Sequence, residues 1–306
     1  MSDPIYLDCD TGVDDALAIA LLLGTPHAEL LGVGTVTGNT GAAQAARNTL
    51  DLLALGGRGG VPVAVGARHA LDGSSTHDAT VVHGGNGIGG VELPRAAAGP
   101  VPVTAVDLLL ALARARPGEL RILATGPLTN LAMALRREPR LPELIRDVTV
   151  MGGAVRVPGN VTGHSEANIA VDPEAAAEVL AAAWPVTLVP LDVTMRHRFG
   201  PGDQEALRAH GTPLSTALAA MLTGYFDYYE PVLGERRVPL HDPLAAAVLT
   251  GAAGLSDAPM LGLRVEVDGR RGAVVEDASA GRQTRVVLDV ADDTVPRIRE
   301  LVLAAG

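Results

Sequence analysis

Residues 4–24 read PIYLDCDTGVDDALAIALLLG: an apolar run and an aliphatic run joined by a turn that carries Asp8, Asp10, Asp14 and Asp15. The first run lacks the polar alternation of a half-exposed strand, which marks a strand buried on both faces. The second has the length and apolar continuity of a buried helix. The same grammar repeats downstream. AELLGVGTVTG reads as a strand, TGAAQAARNTLDLLALGG as a helix and VPVAVG as a third strand. After a Gly-rich stretch over residues 67–99, it resumes with helix VTAVDLLLALARARPG, strand ELRILATG, helix PLTNLAMALRRE and strand RDVTVMGG. A polar loop, AVRVPGNVTGHSEAN, leads to helix DPEAAAEVLAAA and strand PVTLVPLD. Residues 201–250 read as mainly helical. The last fifty hold two β-like runs, MLGLRVEV and TRVVLDV, and a terminal helix around VPRIRELVLAA. This order predicts an α/β fold: an open, mostly parallel sheet with helices on both faces. No Pro/Ser-rich linker divides the chain, so residues 1–306 are expected to form a single domain.

In such a sheet ligands bind outside the carboxyl ends of the strands, where Asp8 and Asp10 fall. Asp14 and Asp15 open the next helix, where unpaired N–H groups favour a carboxylate. Capping explains one of them, not four, because clustered carboxylates repel unless a cation or strong donors compensate. Of the 24 basic side chains besides His, all are Arg, and the first is Arg47. A hard divalent cation suits oxygen-only ligands, with calcium or magnesium the candidates. Cys9 should point to the opposite face of the strand from Asp8 and Asp10 and is read as structural.

Composition narrows the function classes. A net charge of -11 argues against a phosphate-backbone footprint, so no nucleic-acid partner is expected. The lone cysteine excludes an intrachain disulfide and Cys-rich metal sites. Without Lys, Schiff-base and Walker-type chemistry is out of reach. No apolar run is long enough to span a membrane and no signal-type segment is recognisable, so a cytoplasmic protein is expected.

A strand ending in Asp-x-Asp also matches the first motif of phosphatases that form an aspartyl-phosphate. Those enzymes normally need a Lys on the transferring group, and none exists here. Other segments suit a polyhydroxylated ligand. VTGN ends the second strand with Asn39, and PGNVTGHSEAN offers Asn160, Glu166 and Asn168, an amide-and-carboxylate set that matches ribose hydroxyls. VPLHDPLAAA pairs His241 with Asp242 at a helix start, and His is the usual proton carrier near neutrality. Of the six Phe and Tyr residues, four lie in YFDYYE, where Tyr225 and Tyr229 share a helix face.

In order, DCDTGVDDALA, VTGN, VHGGNGIGG, ATGPLTNLAMAL, VMGGA, GNVTGHSEANIAVDPEAA and HDPLAAA resemble the nucleoside hydrolase family, the inosine-uridine-preferring type and its relatives. The resemblance implies calcium-dependent hydrolysis of ribonucleosides to ribose and free base. It implies Ca2+ held by Asp10, Asp15, the Thr125 carbonyl and Asp242, with Asp10 also deprotonating the attacking water. Asp14, Asn160, Glu166 and Asn168 would hold the ribose, with Asn39 lining the site and Asp8 bracing the cluster. His241 would protonate the leaving base, His83 would lie beside the active site, and Tyr225 and Tyr229 would wall the base pocket. A homodimer or homotetramer is implied. Two positions depart from the family pattern: Thr11 replaces the usual Pro of Asp-x-Asp-Pro-Gly, and Ala167 replaces the aromatic of Glu-Phe-Asn. The second keeps open a modified nucleoside or other N-riboside as substrate. A non-catalytic nucleoside-binding protein is the remaining alternative. His69, His77 and His164 are read as peripheral.

Overall fold

A computed structural model of the chain describes residues 2–74 and 79–306. The chain begins β1 (Asp3–Cys9), α1 (Val13–Gly24), β2 (Ala28–Thr35), α2 (Ala42–Leu55), β3 (Val63–Val65), α3 (Thr80–His83) and α4 (Ala105–Ala115). It continues β4 (Leu120–Ala124), α5 (Thr129–Arg137), α6 (Leu141–Leu144), β5 (Ile145–Met151), α7 (Ala167–Val171), α8 (Pro173–Ala181) and β6 (Val186–Val189). Next come α9 (Leu191–Thr194), β7 (Arg198–Phe199), α10 (Pro201–His210), α11 (Pro213–Leu233), β8 (Val238–Pro239) and α12 (His241–Thr250). The chain ends β9 (Leu255–Asp257), β10 (Met260–Val265), β11 (Val274–Glu276), β12 (Gln283–Val286), β13 (Asp289–Val290) and α13 (Thr294–Leu303).

Nine strands form one sheet in the order β11-β10-β12-β6-β5-β4-β1-β2-β3. β1 pairs in parallel with β2 on one side and β4 on the other. The chain therefore winds outward through β3, then returns across β1 to wind the other way. That reversal opens a crevice at the carboxyl ends of β1 and β4. The acidic turn lies there because it is the link that leaves β1.

The alternation of side chains along β1 feeds two cores. Ile5, Leu7 and Cys9 pack with α1, α11, α12 and α13, whereas Tyr6 packs with α4, α5 and α8. Helices thus cover both faces, as the sequence predicted. α1 has no polar face because eleven of its residues are buried. Truncating Leu17 to Ala would cost roughly 2–5 kcal/mol, so α1 is a rigid base for the aspartates at its first turn.

The structure adds elements that periodicity could not reveal. α3 lies inside the Gly-rich stretch and α7 at the end of the polar loop, each too short to carry a helical pattern. At one edge β12 joins β6 in parallel, and β10 and β11 extend the sheet antiparallel. Among the described residues no helix is long and apolar enough to cross a membrane.

Candidate active site

Each aspartate of the opening turn has different surroundings. Asp8, still on β1, accepts hydrogen bonds from Asn130 Nδ2 at 3.1 and 3.2 Å and from the Tyr6 hydroxyl at 3.2 Å. Asp10 Oδ2 accepts the Asn39 backbone N–H at 2.6 Å, and its Oδ1 lies 3.2 Å from Asn39 Nδ2. Asp15 closes the first turn of α1 by accepting Gly12 N–H at 2.7 Å, and its other oxygen accepts the Thr125 hydroxyl at 2.7 Å. Asp14 accepts the Tyr225 hydroxyl at 3.2 Å through Oδ2, but its buried Oδ1, 3.9 Å from His83 Nδ1, finds no hydrogen-bond donor among the described residues. Two glycines make this density possible. A Cβ on Gly38 would sit 1.9 Å from Asp10 Oδ2, and one on Gly12 would sit 2.5 Å from Asn39 and 2.6 Å from His83.

Asp14, Asp15 and Asp242 offer carboxylate oxygens that lie within 4.8 Å of one another, all buried. Asp10 sits beside them, linked through the Asn39 amide, which also reaches Asp15 at 3.3 Å. Burial pushes every one of these carboxyls above the ordinary range. Asp8 rises to about 7, and Asp14 and Asp15 to about 6. Asp10 and Asp242 rise too, by burial and then by the neighbouring carboxylates. An unsatisfied carboxylate oxygen within an all-oxygen, mutually repelling set fits a hard divalent cation.

The linkage has a definite sign. Acids whose folded pKa is raised make the folded chain bind more protons than the unfolded chain, so its stability falls as pH rises between the two values. The thermal midpoint of chelator-treated protein should drop between about pH 4 and about pH 7, and the stabilisation by added Ca2+ should grow across that window. A flat midpoint, or no shift with Ca2+, would count against a cation in this cluster.

Opposite the carboxylates lies the polar loop and α7. Glu166 caps α7, accepting Asn168 N–H at 2.9 Å and Ile169 N–H at 3.3 Å, and also accepts Gly153 N–H at 2.9 Å. Burial raises its pKa. Asn168 gives its amide protons to the carbonyls of Thr125 and Met151 at 2.8 and 3.1 Å, which leaves its own oxygen to accept from a ligand. Exposed Asn160 accepts Ala167 N–H at 3.1 Å, and among the described residues its amide protons have no acceptor. The third wall is α11. Tyr225 and Tyr229 are buried and meet edge-to-face with ring centroids 5.0 Å apart. His241 bonds the Tyr229 hydroxyl through Nε2 at 3.2 Å and the Thr194 hydroxyl through Nδ1 at 2.8 Å. Burial, then the nearby His83, holds its pKa down to about 3, so the ring is neutral with one N–H. His83, at the end of α3, accepts Val13 N–H at 3.2 Å.

These walls enclose a cavity of about 560 Å³, within the range of small-molecule sites. Its lining includes Asp14, Asn39, His83, Thr125, Asn160, Glu166, Asn168, Tyr225, Tyr229, His241 and Asp242. The sequence candidates from seven separate segments thus meet in one place, with Asp10 and Asp15 immediately behind. His69 is exposed and His164 half-buried, and neither lines the cavity; His77 lies outside the described residues. Cys9 is buried in the core on the other face of β1 from Asp8. Asn130 and Thr194 were missed. Asn130 stands within the GPLTN motif, and Thr194 follows the carboxyl end of β6, so position at the sheet's edge was the signal that could have found them.

A family model described as inosine-uridine preferring nucleoside hydrolase matches residues 5–296. The pyrimidine-specific ribonucleoside hydrolase RihA of Citrobacter koseri is 39% identical over 253 residues, which covers 81% of this chain and 80% of that protein. Among solved structures, the purine-preferring ribonucleoside hydrolase from Gardnerella vaginalis superimposes with a TM-score of 0.92 at 33% identity, covering 99% of this chain and 98% of that one. The plant nucleoside hydrolase PpNRh1 gives a TM-score of 0.94 at 28% identity over the whole of both chains.

Proposed function

The chain belongs to the inosine-uridine preferring nucleoside hydrolase family and is a ribonucleoside N-glycosyl hydrolase, and from that premise we propose how its residues divide the work. Asp10, Asp15, the Thr125 carbonyl and Asp242 would hold Ca2+, with residues 1–306 acting as one catalytic unit. When bound, the ion supplies positive charge that acidifies water and the ribose hydroxyls beside it. Asp10 takes the proton from the attacking water. Asp14, Glu166 and Asn168 accept from the ribose hydroxyls while Asn160 donates to them, which fixes C1′ against that water. Breaking the N-glycosidic bond builds positive charge on the sugar, and the surrounding carboxylates stabilise that state more than the neutral substrate. Tyr225, Tyr229 and His83 wall the base, and the neutral His241, paired with the Tyr229 hydroxyl, assists the departing base by hydrogen bonding, with the proton that the base finally carries coming from water. Water attacks directly, with no covalent sugar intermediate.

The observation that supports this division best is the placement of Asp14 and Asp242, Asn168 and His241 on the walls of one cavity at the β1/β4 reversal. A lone buried Cys9 suits a reducing cytoplasm, and the homodimer or homotetramer implied by the resemblance is checked by light scattering. The names of the relatives divide between pyrimidine and purine substrates, so the deciding assay is a panel of uridine, cytidine, inosine, adenosine and guanosine. Release of free base and reducing sugar from at least one is expected; release from none would overturn the common-substrate reading. The matching 5′-monophosphates should be cleaved at least about ten-fold less efficiently, because a phosphate would face the carboxylates. Equal rates on nucleotides would contradict the electrostatic account.

One further substrate reading has an observation of its own. Ala167 and Val161 line the cavity beside Asn160, and Val161 is 42% exposed. A small side chain there leaves room for a substituted nucleoside, so nucleosides modified on the sugar belong in the same panel.

A further inference from the structure

The acidic turn is gripped from the side by α2. Thr11, between Asp10 and Gly12, is fully buried. Its hydroxyl lies 2.7 Å from the Thr49 hydroxyl, and Thr49 donates to the Ala45 carbonyl at 2.8 Å. Since Thr49 has spent its one proton, Thr11 must donate to it. The Cys9 thiol lies 3.3 Å from Thr11 Oγ1 and 3.9 Å from the Gly34 carbonyl, with one proton to share between them. Next to Thr49 on α2 the Asn48 amide, also buried, donates to the Thr11 carbonyl at 3.2 Å and to the Asn86 carbonyl at 2.8 Å. Gln44 Nε2 donates to Asn48 Oδ1 at 2.8 Å, which fixes the orientation of that amide.

Asn86 is the centre of the Gly-rich loop. Its side-chain oxygen accepts Ile88 N–H and Gly90 N–H at 3.1 and 2.9 Å, and its amide donates to the Val91 carbonyl at 3.0 Å. Gly89 N–H returns to the His83 carbonyl at 2.7 Å. His83 in turn accepts Val13 N–H from the acidic turn. α2 therefore holds Thr11 at both its carbonyl and its hydroxyl, and Asn48 joins the acidic turn to the loop that carries His83.

We propose that Asn48 and Thr49 are positioning residues for the reaction, holding Thr11 so that Asp10 and the Gly12 N–H, which fixes Asp15, keep their aim. This rests on the assignment of Asp10 and Asp15 to the cation. Thr11 thereby does with hydrogen bonds what a proline at this position does with a fixed φ. A hydroxyl left without its acceptor in a buried site is costly, whereas a surface contact would not be.

The test is Thr49→Val, which keeps the shape and removes the acceptor. Ca2+ affinity is read by competition with a fluorescent chelator, and kcat and KM are measured at saturating Ca2+. The expected result is about ten-fold weaker Ca2+ binding and a lower kcat with KM nearly unchanged. Thr49→Ser, which restores the hydroxyl, should recover both. In a double-mutant cycle, Thr11→Val with Thr49→Val should lose little more than either single variant. Wild-type Ca2+ affinity and kcat in Thr49→Val, with only a lower thermal midpoint, would overturn the proposal and leave a merely structural contact. Should Thr49→Val fail to fold, Thr11→Val and Asn48→Ala are read by the same criteria. If the wild-type protein itself binds no Ca2+, the cation assignment fails rather than the positioning role.

Discussion

Asp10→Asn is expected to fold, to lose about 10³-fold in kcat, and to be more heat-stable than the wild type in the presence of chelator. The activity loss follows from the proposed role of Asp10, at the end of β1, in taking a proton from the attacking water. An amide keeps the size of the carboxylate and can still accept the Asn39 backbone N–H that Asp10 now receives at 2.6 Å. It cannot accept a proton from water near neutrality. The stability gain follows from the same charge. Asp10 is buried beside Asp15 and its pKa is pushed up, first by burial and then by that neighbour. Removing one of several repelling buried charges relieves the metal-free protein. Steady-state kinetics and thermal melts with and without Ca2+ read both effects. Activity within ten-fold of wild type would remove Asp10 from the water-activating role.

His241→Ala should cost about 10²- to 10³-fold on ordinary nucleosides and far less on 4-nitrophenyl riboside. The base of a nucleoside leaves as an unstable anion unless it is protonated, whereas nitrophenolate leaves without help. His241 is neutral in its buried site, held by Thr194 on one ring nitrogen and Tyr229 on the other. It therefore acts as a neutral ring that reaches the departing base through the Tyr229 hydroxyl it bonds, and not as an imidazolium. Loss of the same factor on both substrates would mean that His241 positions the substrate instead of assisting the leaving group.

Local chemistry was legible in the sequence, and long-range pairing was not. The buried first strand, the aliphatic α1 and the acidic turn between them are decided by neighbours in the chain, so they could be read directly. The gathering of Asn39, Glu166, Asn168, Tyr225 and His241 into one cavity followed from strand ends and helix starts sharing one edge of the sheet. What stayed hidden were contacts between distant residues of ordinary type. Asn130 reaches Asp8 across 122 positions, Thr194 meets His241 across 47, and Thr11 meets Thr49 across 38. Nothing local marks such pairs. The turn of each carboxylate was equally hidden, since Asp14 joins Asp15 and Asp242 in the closest trio while Asp10 faces Asn39. Of the two strands beyond β12, β10 was legible as MLGLRVEV, whereas β11 was not, for another reason. β11 is only three residues long and gives no alternation to detect.

A calcium titration of chelator-stripped protein, followed by release of free base from uridine and inosine, tests the account most directly. The account predicts no turnover without the ion and full recovery at one Ca2+ per chain, with the thermal midpoint rising over the same range. Equal cleavage in excess chelator, with no Ca2+-dependent shift in the midpoint, would contradict it.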